Sequence, residues 1–96
     1  MSALATSYQS LPGADLVERG IGDLEAGLET ASALLVSIGA PRLRSIGIDP
    51  PAATIVEPEH KLYQLLSQEK GDAAHSAYNA LVRRLVSFER AAACAS

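Results

Sequence analysis

The side chains with reactive chemistry are few and far apart: His60, Tyr63, His75, Glu89, Cys94 and the arginines Arg42, Arg44, Arg83, Arg84 and Arg90. Glu89 is the most informative. At about 100° per residue it projects between Tyr78 and Val82, inside an apolar stripe. A carboxylate there needs a cation or hydrogen-bond donors, because an unpaired buried charge is expensive. Arg42, Arg44 or an arginine from a second copy of the chain could supply one, and such a pair would fix the register of an interface. The plainer alternative is a frayed or edge position that leaves Glu89 in water.

The arginines offer a weaker signal. Arg83 and Arg90 share a polar face with Asn79, and Arg84 lies at the edge of the stripe. Together with Arg42 and Arg44 they form the candidate set for an anion or nucleic acid. They are few, and no aromatic side chain interleaves with them as in single-strand binders. A solvated charged face is the ordinary account. His60 and His75 each fall near the third position of a helix, where the helix N-terminus disfavours imidazolium. With Cys94 they show none of the short ligand spacings of a metal site, so no metal or cofactor is expected. No Ser/His/Asp arrangement, phosphate loop, dinucleotide fingerprint or paired-cysteine motif occurs, so no catalytic residue is assigned. A pocket joining His60, Tyr63, His75 and Glu89 remains the one route to an enzyme or ligand binder.

These residues must be held by helices. Val17, Ile21, Leu24 and Leu28 are spaced 4, 3 and 4, which predicts a helix over 14–28. Gly20 and Gly27 lie beside that stripe, and each costs about 1 kcal/mol against alanine, so a close backbone approach should offset them. That approach is either a crossing within the chain or one between chains. Thr30 predicts the N-cap of a second helix carrying Ala31, Leu34, Leu35 and Ile38. Gly39 is expected to end it, Pro41 to open a short helix, and Gly47 to stop that one. Ser37-Ile38-Gly39 recurs as Ser45-Ile46-Gly47, which reads as two similar stops.

Ile38-Gly39-Ala40-Pro41-Arg42-Leu43 resembles a helix–hairpin–helix DNA-binding element over about a dozen residues. It departs from that element in having one glycine where the hairpin needs two. The same stretch also resembles a helix-turn-helix, although the six residues after Pro41 are short for a recognition helix.

Asp49-Pro50-Pro51 predicts an extended connector, with room for a short strand at 53–56. Pro58 opens a helix to about Lys70 with Leu62, Leu65 and Leu66 inward. Gly71 and Asp72 then start the last and longest helix, about 73–93, almost at once. The link predicts a helical hairpin. Ala74, Tyr78, Leu81, Leu85, Phe88 and Ala92 keep the 4-3 spacing, and Val82 and Val86 widen the stripe enough for more than one neighbour. Residues 1–30 carry Asp15, Glu18, Asp23, Glu25 and Glu29 against Arg19, whereas residues 76–96 carry three arginines against Glu89. The first and last long helices therefore attract weakly if adjacent.

Composition agrees with a small folded domain. The chain has 96 residues, 48% hydrophobic and 20% charged, which excludes wholesale disorder. A net charge of −3 argues against a dedicated polyanion binder. Residues 1–7 have neither a basic segment nor a sustained apolar run, so no secretory signal is expected, and a lone cysteine suits the cytoplasm. The expectation is all-α: a flexible lead-in over 1–11, then a single domain over 12–96. That domain is a compact bundle of four to five helices with the long C-terminal helix at its centre. The expected function is a cytoplasmic protein-interaction or regulatory module without catalytic activity and without membrane attachment. Short helices leave its wide final stripe incompletely covered, so it is expected to act as a homo-oligomer, most simply a homodimer, or with another protein. The expected contact surfaces are Gly20, Gly27, Val82, Val86 and Glu89.

Overall fold

A computed structural model describes residues 6–51 and 55–95. The described residues contain helices and no strand. Helix α1 is the single turn Thr6–Gln9, α2 is Ala14–Glu25, α3 is Ala31–Ser45, α4 is Pro58–Lys70 and α5 is Ala74–Ala95, with a 3-10 turn at Gly71–Ala73 leading into α5.

Helix α2 is shorter than its apolar spacing suggests. The Leu28 N–H donates to the Asp23 carbonyl at 2.8 Å, and the Gly27 N–H to that of Leu24 at 3.0 Å. This is the reciprocal pair that closes a helix around a left-handed residue. Gly27 supplies that residue at φ +76°. The chain turns away, and Leu28, expected in the core, is 51% exposed. The same closure ends α3. There Ile48 donates to Leu43 at 2.9 Å and Gly47, at φ +90°, to Arg44 at 3.1 Å. Here the residue past the turn, Ile48, is buried.

Thr30 caps α3 as expected, its hydroxyl accepting from the Ala33 N–H at 3.2 Å. Gly39 and Pro41, however, neither stop nor start a helix. Helix α3 runs through both, so the chain has one break fewer than expected and no hairpin at 38–43. An interior proline removes one helical hydrogen bond and costs about 3 kcal/mol. Packing on either side offsets it: Val36, Ala40 and Leu43 are all buried, while Pro41 itself is exposed.

The centre of the bundle is α3, not α5. Helices α2, α4 and α5 all pack on α3, and Ala33, Leu35, Val36 and Leu43 are completely covered. A helix apolar on most of its circumference has to be enclosed in this way. Helix α5 lies to one side. Leu85, Phe88 and Ala92 are buried, whereas Tyr78, Leu81 and Val82 are half-buried at the margin of the core. The α4–α5 pair forms the expected hairpin, with Leu62 and Leu66 inward and the Tyr63 and Tyr78 rings 5.9 Å apart. In the connector, Ala53 and Thr54 lie outside the described residues, and Ile55 and Val56 pair with no strand. Within the segment expected to be a loose lead-in, α1 is anchored. The Tyr8 ring meets Phe88 edge-on at 6.3 Å, and its hydroxyl donates to the Ile46 carbonyl at 3.3 Å.

Helix α2 crosses α3 closely at Gly20. A Cβ on Gly20 would run into the Val36 side chain and the Ser32 carbonyl, whereas one on Gly22 would meet nothing within 4 Å. The two glycines therefore predict opposite outcomes in urea melts. Gly20→Ala should lower stability by about 3 kcal/mol, the upper range for overpacking. Gly22→Ala should raise it by about 0.5–1 kcal/mol through helix propensity.

Candidate interaction groove between the third and last helices

Helices α3 and α5 meet closely at one point and diverge beyond it. A Cβ on Gly39 would lie 2.9 Å from Leu85 Cδ2 and 3.0 Å from Glu89 Oε2. The missing side chain is what lets the Glu89 carboxylate sit against α3. Gly39 lies four residues from both Leu35 and Leu43, on their stripe. That spacing could have identified it as a contact residue, but the helix-stop reading hid it.

Beyond this contact a groove of about 740 Å³ opens between the two helices. Ile38, Gly39, Pro41, Arg42, Ser45 and Ile46 line it from α3, and Val82, Leu85, Val86, Glu89, Arg90 and Ala93 from α5. Most of this lining is apolar. Glu89 is only 6% exposed, which is unusual for a carboxylate. Burial raises its pKa above the ordinary carboxylate value, and the Arg42 guanidinium partly opposes that rise. Among the described residues, Glu89 has no ion pair within 4.0 Å.

The groove therefore unites Val82, Val86 and Glu89 with Arg42 and Arg90. The other residues singled out by the sequence lie elsewhere. Gly20 is enclosed under α3, and Gly27 sits in the exposed turn after α2. Arg84 donates to the Asp15 carboxylate at 3.1 and 3.3 Å, realising the expected attraction between the first and last long helices. This exposed pair is worth at most about 1 kcal/mol. Arg44 pairs with Asp49 at 3.6 Å. Two of the five arginines are thus held by acids, two line the groove, and Arg83 is exposed.

His60, Tyr63, His75 and Glu89 do not converge. The Tyr63 and His75 rings are 6.4 Å apart, but Glu89 lies fourteen residues further along α5, roughly 21 Å at the helical rise. His60 is exposed in the first turn of α4, and His75 Nε2 lies 3.3 Å from the Asn79 amide. Among the described residues, no cluster of three or more His, Cys, Asp or Glu side chains could hold a metal ion. Among the described residues, no helix is long and apolar enough to cross a membrane. No protein-family model, curated protein or solved structure matches the chain. The groove is read from its own geometry.

The raised Glu89 pKa has a definite sign. Between the unfolded and folded pKa values the native state binds more protons than the unfolded state, so stability falls as pH rises through that window. Below the window both states are protonated and the stability is fully present. In protein dilute enough to be monomeric, wild type should therefore lose stability above the ordinary carboxylate range. Glu89→Gln should remove that loss, as read from urea midpoints across pH.

Proposed function

We propose that this chain is a small helical interaction module, without chemistry of its own, that works as a homodimer joined through the α3–α5 groove. The observation that carries this reading is an open, mostly apolar groove with the little-exposed Glu89 carboxylate in its wall, no cation lying within 4.0 Å of it among the described residues. Contiguous apolar surface on a small soluble domain marks a contact site. A second copy would cover Val82, Val86 and Ile46 and would bring cations to Glu89. The contact surface proposed here keeps Val82, Val86 and Glu89 and leaves out Gly20 and Gly27, because neither faces the groove. The cytoplasm remains the proposed setting, on the sequence grounds given above.

Sedimentation at micromolar concentration tests this reading. Wild type should sediment at twice the 10.0 kDa chain mass. Val86→Glu, which places a second acid in the groove, should give the single-chain mass with helicity unchanged by circular dichroism. A wild-type chain that stays monomeric throughout would overturn it.

A further inference from the structure

The charges of the α3–α5 groove gather along one stretch of it. Arg42 lies three residues past Gly39 on α3, and Arg90 directly follows Glu89 on α5, so the charged side chains flank the point where Gly39 meets Glu89. Both arginines are exposed, and neither has an acid within 4.0 Å among the described residues, whereas Arg44 and Arg84 are already held by Asp49 and Asp15. The Ser45 hydroxyl already donates to the Arg42 carbonyl at 2.6 Å. The other stretch of the groove is apolar, with Ile38 from α3 and Val82 and Val86 from α5. Val82 precedes Arg90 by eight residues, about 12 Å at the helical rise.

We infer that the groove binds a small amphipathic anion, a monocarboxylate on an apolar chain, with its head between Arg42 and Arg90 and its chain against Ile38, Val82 and Val86. The volume of about 740 Å³ is that of a small-molecule site. The two guanidinium groups come from opposite walls, and the planar fork of each can donate to both oxygens of a carboxylate. Glu89 is the one acid lining the groove among the described residues, and it does not cancel them. Burial shifts it toward its neutral form, against the opposing effect of Arg42. In that form it donates a hydrogen bond to an anion instead of repelling it. A cationic head would meet two arginines in the same place. The inference stands without the homodimer. Where a second copy uses the same surface, ligand and copy exclude each other, and the anion pulls the dimer toward single chains by mass action.

Calorimetric titration with decanoate, below its micelle concentration, tests the site. Wild type should bind decanoate. Decan-1-ol, with the same chain and no charge, should bind at least about tenfold more weakly, and decylammonium more weakly still. Arg42→Gln and Arg90→Gln change exposed side chains and should keep full helicity by circular dichroism. Each should weaken decanoate about tenfold and leave decan-1-ol unchanged. Glu89→Gln, which is neutral at every pH, should bind decanoate at least as tightly as wild type. No binding of decanoate, a preference for decan-1-ol or decylammonium, or full binding by both arginine variants overturns the inference. A monomeric wild type that binds decanoate overturns the homodimer and leaves the anion site standing. A dimer that neither binds decanoate nor dissociates in it does the reverse.

Discussion

Helix α3 is apolar on most of its surface, and the rest of the molecule is arranged to keep water from it. Helix α2 covers one side through the backbone approach at Gly20, α4 covers another through Leu62 and Leu66, and α5 covers a third through Leu85 and Phe88. Each covering helix turns an apolar face to α3 and keeps polar residues on its outer side. Interiors packed at crystal-like density tolerate little adjustment at such contacts. The glycines at 20 and 39 set how near α2 and α5 can come, and so where the cover ends. The groove is the place where cover by α5 runs out.

Residue spacing made much of this legible and left specific parts obscure. The 4-3 repeats of α2, α4 and α5 appear in the structure as helices with Val17, Ile21, Leu62, Leu66, Leu85 and Phe88 inside. Helix α3 departs from its sequence expectation because propensity and tertiary burial disagree there. Gly39 and Pro41 are poor helix residues in isolation, but Val36, Ala40 and Leu43 gain enough from burial to hold the helix through them. Its central place is obscure in the sequence for a related reason: with so small a polar side, no apolar stripe stands out against it. Leu28 was misassigned because the turn at Gly27 ends α2 before the apolar repeat ends.

The candidate site shows the same division. The helical wheel puts Glu89 inside the apolar stripe but leaves open whether fraying or an edge position wets it, and the structure buries it. Its neighbours are not legible there, because which arginine approaches depends on how α3 and α5 cross, and that crossing is set by a glycine that reads as a terminator. The arginines look like one set along the chain, yet Arg44 and Arg84 answer nearby acids, while Arg42 and Arg90 face the groove. Composition counts such charges equally, whereas packing gives each its own environment.

The order in which the long helices dock has a kinetic consequence. Helix α2 packs on α3, α3 on α4 and α4 on α5, so each long helix finds the next one along the chain. Bringing such neighbours together closes only short loops, and search time grows with the separation of the residues that must meet. A chain built this way belongs with the fast folders, reaching its native state in about a millisecond or less. It spends little time as an open coil with Leu35 and Phe88 bare to other chains.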